Sequence, residues 1–147
     1  MKYFAYGSNM SINRMLQRKV KFTKTQKATL DGYEFVINKV SQKDRRIGFA
    51  NIKANESDFV EGVLYDIDDT IQLDKYEGYP VHYNKLVLPV ATKDGIFGAV
   101  VYIANKSWIS DGLICTEEYR DLILEGKEYL SDEYYGKICE ITNTPRI

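Results

Sequence analysis

Tyr83-Asn84-Lys85-Leu86-Val87-Leu88-Pro89-Val90-Ala91 and Ile96-Phe97-Gly98-Ala99-Val100-Val101-Tyr102-Ile103-Ala104 flank Thr92-Lys93-Asp94-Gly95. Two β-branched, aromatic-rich runs around a Lys-Asp-Gly turn predict a β-hairpin, because glycine supplies the backbone freedom that a tight reversal needs. Phe97, Ala99, Val101 and Ile103 share one face of the second strand. Working outward, Lys2 to Tyr6, Tyr33 to Val40, Gly48 to Ile52 and Phe59 to Ile67 read as further strands. The run Phe59, Val60, Val63, Leu64, Tyr65, Ile67 is nearly continuous, which suits a strand covered on both faces. Asp31-Gly32 reads as a turn, and Lys19 to Thr29 gives no clear pattern.

Helices are short and few. Ser11 caps a predicted helix to about Arg18, with Ile12, Met15 and Leu16 at helical spacing. Asp68-Asp69-Thr70 starts another, which Gly78 and Pro80 end. Two more run from Thr116 to about Leu130 and from Ser131 to about Glu140. Six or seven strands outnumber the helices that could serve as crossovers. The expected class is therefore α+β, with a mixed, curved sheet closing into a barrel-like core.

The 147 residues fit one domain, 1–147, and carry 20 basic against 21 acidic side chains. A net charge of −1 gives no global pull on nucleic acid or an anionic membrane, so neither is an expected partner. No apolar run reaches the roughly 20 residues of a membrane span, and the N-terminus shows no signal peptide. Cys115 and Cys139 have no metal-ligand spacing, and reduced, buried thiols in a cytoplasmic protein are expected. One histidine, His82, argues against imidazole metal sites and a Ser-His triad, and it reads as a loop residue. No metal and no cofactor is expected.

Three places offer chemistry. Tyr6-Gly7-Ser8-Asn9-Met10 joins a strand to a capped helix, and its amides suit either an anion or a simple tight turn. Glu77 stands at a helix end between aromatics. Tyr76, Tyr79 and Tyr83 would desolvate it and raise its pKa, and an exposed helix-end glutamate is the plainer reading. Thr116-Glu117-Glu118-Tyr119 starts a helix, and capping alone accounts for it.

Tyr3-Phe4-Ala5-Tyr6-Gly7-Ser8-Asn9, Gly48-Phe49-Ala50-Asn51-Ile52, Glu61-Gly62-Val63-Leu64-Tyr65 and Leu73-Asp74-Lys75-Tyr76-Glu77-Gly78 with Tyr83, in that order, resemble the γ-glutamylcyclotransferase (AIG2-like) family. The resemblance continues through Glu118-Tyr119 to Tyr134. It implies a barrel-like α/β fold and cyclisation of a γ-glutamyl group to 5-oxoproline with release of an amine or amino acid. It implies Glu77 as the catalytic acid/base. Tyr6, Gly7, Ser8 and Asn9 would hold the γ-glutamyl moiety, with Tyr83 and Tyr119 lining the site. The partner is then a small γ-glutamyl substrate, and the protein a monomer or homodimer. Relatives acting on γ-glutamylamines begin with a tyrosine-glycine-threonine-leucine loop, from which Tyr6-Gly7-Ser8-Asn9 departs. The alternatives are a γ-glutamylamine or modified-metabolite cyclotransferase, and a binding module without turnover.

Overall fold

Two long strands, β2 (Phe22–Val40) and β3 (Gly48–Ile67), form an antiparallel ribbon that curls round to make most of a closed barrel. The computed structural model describes residues 1–141, so the last six of the expected 1–147 domain lie outside the described residues. The remaining strands are β1 (Lys2–Ala5), β4 (Tyr83–Thr92) and β5 (Gly95–Ala104). Their order round the barrel is β1-β3-β2-β4-β5. All pairs are antiparallel except β5 with β1, which meet in parallel at Tyr3 and Val100 and close the sheet. The β4–β5 hairpin turns at Lys93-Asp94, with Thr92 opposite Gly95.

Five strands replace the expected six or seven for a physical reason. The Asp31-Gly32 turn signal is a bulge inside β2, not a chain reversal. Asp31 pairs with Phe59 and Tyr33 with Ala54, so Asn55 to Asp58 bulge out opposite Gly32. Gly32 takes φ 84°, in the left-handed region that glycine tolerates. Two polar breaks therefore face one another within one ladder, and the Lys19–Thr29 stretch without a clear pattern becomes mostly β2.

Alternation sorts the apolar residues into two cores. Phe4, Ala28, Leu30, Ala50, Ile52, Val60, Leu64, Val90, Ala99 and Val101, drawn from all five strands, fill the barrel. Tyr3, Val63, Tyr65, Val100 and Tyr102 point the other way, under the helices, where they meet Met10, Met15, Leu73, Ile123 and Ile138. β3 is thus buried on both faces along Val63-Leu64-Tyr65, as its continuous hydrophobic run requires.

The helices are α1 (Ile12–Gln17), α2 (Ile71–Glu77), α3 (Glu117–Leu124) and α4 (Asp132–Cys139). Ser11, Thr116 and Ser131 cap α1, α3 and α4 by accepting hydrogen bonds from the amides of Arg14, Tyr119 and Tyr134. The Glu61 carboxylate adds to the α4 start, accepting from the Ser131 amide at 2.6 Å and its hydroxyl at 2.7 Å. α3 stops at Leu124 rather than near Leu130. The chain must come close to Met10 at Gly126, where a Cβ would lie 2.8 Å from that of Met10, and a 3-10 turn follows. Both cysteines are free, but only Cys115 is buried, and Cys139 at the end of α4 is exposed. Among the described residues no helix is long and apolar enough to cross a membrane.

Candidate active site

At one end of the barrel, a cavity of about 430 Å³ opens beneath α2 and the loop after β1. Tyr6, Gly7, Ser8, Asn9, Glu77, Tyr83 and Tyr119 all line it. Residues spread over the chain from 6 to 119 therefore meet at one place.

Glu77 gets there by helix geometry. It lies one turn beyond Leu73, and positions i and i+4 share a helix face. Leu73 is fully buried beneath α2, so Glu77 stands on the same face above the cavity. Gly78 ends the helix at φ 67°, and a Cβ there would lie 2.7 Å from the His82 ring. Asp74 fixes the helix. It accepts from Tyr102 Oη at 2.6 Å, Thr70 Oγ1 at 3.2 Å and Lys85 Nζ at 2.8 Å. Burial pulls its pKa upward, but the Lys85 and Tyr102 donors outweigh that and hold it below the ordinary 3.8. Asp74→Ala strands these donors and should cost roughly 2 kcal/mol. A denaturant titration checks this at pH 7. The contribution is complete above the ordinary value and disappears as pH falls through the lowered one, so wild type and variant should converge in acid.

Glu77 itself is half-buried on the cavity wall, and among the described residues its carboxylate closes no ion pair and accepts no side-chain hydrogen bond. Burial raises its pKa above the usual carboxylate value, and Arg18, Arg14 and Lys39 pull it partly back. Of the three rings expected to desolvate it, Tyr83 is buried in the cavity wall, whereas Tyr76 and Tyr79 are exposed. Tyr76 lines the cavity with its half-exposed ring against the Arg18 guanidinium, and Tyr79 lies outside the lining against the Lys85 ammonium. Tyr3, Tyr6, Tyr83, Tyr102 and Tyr119 are the tyrosines that feel the Glu77 charge. Burial first, and that charge among lesser causes, raises the pKa of each. They remain protonated hydrogen-bond donors at neutral pH.

The loop after β1 forms a 3-10 turn, Ser8–Met10. The Met10 amide donates to the Gly7 carbonyl, while the Gly7, Ser8 and Asn9 amides meet no protein acceptor among the described residues. Gly7 has φ −112°, so left-handed backbone is not what requires glycine. Space is: a Cβ would lie 3.0 Å from that of Ala50 and 3.4 Å from the Tyr119 hydroxyl. The Asn9 side chain is already committed, donating to Tyr3 Oη at 3.0 Å and accepting from Arg18 Nη1 at 3.1 Å. It therefore shapes the loop rather than adding a free donor. Tyr6 Oη donates to the Tyr102 carbonyl at 2.6 Å. Tyr83 and Tyr119 grip one residue between them. Tyr83 Oη donates to the Ala50 carbonyl at 2.7 Å, and Tyr119 Oη accepts from the Ala50 amide at 3.0 Å.

Sequence reading missed the cations. Arg14 in α1 and Arg18 at its C-cap are i and i+4, a spacing that was available to signal one shared face. Arg14 Nε is buried without a partner. Lys39 gave no signal, because a lysine in a strand is ordinarily solvated. His82 is the loop residue expected of it, and it also lines the cavity. Among the described residues no cluster of His, Cys, Asp and Glu has the make-up of a metal site.

Residues 3–130 match the family model described as gamma-glutamyl cyclotransferase, AIG2-like. No curated protein matches the chain in sequence. A solved structure named gamma-glutamyl cyclotransferase superposes with a TM-score of 0.83 at 26% identity, over 99% of this chain and 90% of that one. An uncharacterised human protein gives 0.82 at 26% identity, again over 99% and 90%. YkqA from Bacillus subtilis gives 0.82 at 24% identity, over 98% of this chain and 56% of its own, and shows the shared fold.

Proposed function

Because the chain belongs to the gamma-glutamyl cyclotransferase, AIG2-like family, we propose that it cyclises a γ-glutamyl group to 5-oxoproline, with Glu77 moving the protons. The observation that carries this reading is one unpaired, half-buried carboxylate on the wall that it shares with the Tyr6–Asn9 loop.

The reaction is intramolecular. The substrate's α-amine attacks its own γ-carbonyl, a C–N bond closes the five-membered ring, and the carbonyl oxygen takes the electron pair. Collapse of that oxyanion expels the leaving amine. A bent, immobilised chain supplies the effective concentration that ring closure needs. Free amides at Gly7, Ser8 and Asn9, with Arg14 and Arg18 beside them, suit the α-carboxylate of the glutamyl end. Glu77 accepts the proton that the attacking nitrogen loses and returns one to the departing nitrogen, so the proton count balances. Main-chain donors also suit the developing oxyanion.

The test is detection of 5-oxoproline from a panel of γ-glutamyl amino acids, peptides and amines. Release from at least one class is expected. A protein that binds these compounds and forms no cyclic product is a binding module. The base must be ionised, and burial lifts its pKa above the ordinary 4.5. The acid limb of kcat/KM should therefore lie above that value, and a profile flat down to it removes Glu77 as the base.

A further inference from the structure

Of the charged side chains that line the cavity, five are cations, Arg14, Arg18, Lys39, Lys43 and Lys75, and one is an anion, Glu77. The whole chain carries a net −1, so this excess is local. Arg18 is tied to Asn9 and stacks on Tyr76, which places it with the loop that holds the glutamyl end in the reading above. Lys39 belongs to a different cluster. A bulge between Ile37 and Lys39 breaks the β2–β3 register just before it, and such bulges re-aim the next side chain. The residue is 4% exposed. Its ammonium bonds to His82 Nδ1 at 2.8 Å and sits 4.8 Å from the Trp108 ring centre, with the Phe49 and Tyr83 rings at 5.9 and 5.8 Å. The His82 ring in turn packs on Trp108 at 4.1 Å. No carboxylate of the described residues lies within 4.0 Å of this ammonium. A buried cation held only by rings and a neutral imidazole is incompletely compensated, and an anionic ligand would complete it.

We infer that Lys39, held by His82 and framed by Phe49, Tyr83 and Trp108, receives a carboxylate of the leaving group. γ-Glutamyl amino acids and peptides are then the substrates, in preference to γ-glutamylamines. This rests on the cyclisation reading, which already assigns the other cation cluster to the glutamyl end. Burial lowers the Lys39 pKa to about 8, with the Glu77 charge opposing, so the group is mainly ammonium at neutral pH.

A matched pair tests it. γ-Glutamyl-alanine and γ-glutamyl-ethylamine differ by one carboxylate. Wild type should prefer the first in kcat/KM by about tenfold to a hundredfold, the range of a charge-assisted pair. Lys39→Met keeps the apolar stem and should bring the kcat/KM ratio of the two compounds close to one, and any common effect through Glu77 cancels in that ratio. Equal rates in wild type, or an unchanged preference in Lys39→Met, overturns the assignment. The wild type alone gives a second measurement should the variant not fold. Its preference should fade as pH rises past about 8. Of the groups around Lys39, His82 is neutral there and Tyr83 is protonated, while Glu77 shares the cavity and Arg45 stands across the Trp108 ring. A preference that persists unchanged at high pH counts against Lys39. Binding separates the two readings. If neither compound yields 5-oxoproline, cyclisation fails. Calorimetry then still decides the subsite, because γ-glutamyl-alanine must bind more tightly than γ-glutamyl-ethylamine, and equal affinities sink it.

Discussion

Glu77→Gln should fold normally and lose 5-oxoproline release by about 10²–10⁴-fold. The amide has nearly the shape of the carboxylate and cannot relay a proton. It should also be at least as stable as wild type at pH 7. The sign follows from linkage. The folded-state pKa of Glu77 is raised, so the fold favours the protonated carboxyl and ionisation at neutral pH works against it. Gln removes that burden. KM should change little, since Glu77 is proposed to act on the reacting nitrogens and not to hold the glutamyl end. Circular dichroism, melting and steady-state kinetics together check this. Full turnover by the variant would remove the proposed mechanism. Lost turnover with a fallen melting temperature would mean that Glu77 props up the fold instead.

The largest effect on stability should come from Gly62→Ala. A Cβ at this position would lie 2.3 Å from the Ala5 carbonyl oxygen and 2.9 Å from the Phe4 ring. One of those neighbours is backbone and cannot swing aside. β1 and β3 would have to part where Ala5 pairs with Val63, one step before the loop that carries Gly7, Ser8 and Asn9. Forced overpacking of this kind costs about 3 kcal/mol, near the upper end of its usual range. For a chain of this size, that is a drop of roughly 10 °C in Tm. Activity should fall as well, because displacing Ala5 displaces the loop. A melting curve like that of wild type would show that β1 yields easily, and the close β1–β3 approach would not then explain the glycine.

The motif segments now have separate physical jobs. In Glu61-Gly62, the glutamate caps α4 and the glycine admits β1. In Asp74…Glu77, the aspartate clamps the helix through Tyr102 and Lys85, and the glutamate faces the cavity. Tyr83 and Tyr119 reach the cavity while holding the two sides of Ala50. Placement of the site thus depends on packing that no single segment reveals.

Local chemistry determined a good deal by itself. Caps at Ser11, Thr116 and Ser131, the Gly78 stop and the Lys93-Asp94 turn depend on neighbours within a few residues, so periodicity and turn residues give them away. The family motifs, and with them the barrel-like α+β class, were legible for the same reason. Only the tertiary structure decided that Gly32 and Asn55–Asp58 are opposed bulges in one ladder, and that Tyr3, Tyr6, Tyr102 and Tyr119 join the expected Tyr83 in the cavity that Glu77 lines. It alone brought Arg14, Arg18 and Lys39 to the same cavity. Barrel closure brings together residues as far apart in the chain as Tyr3 and Tyr119, and electrostatic fields and desolvation depend on distance in space, which residue spacing does not encode.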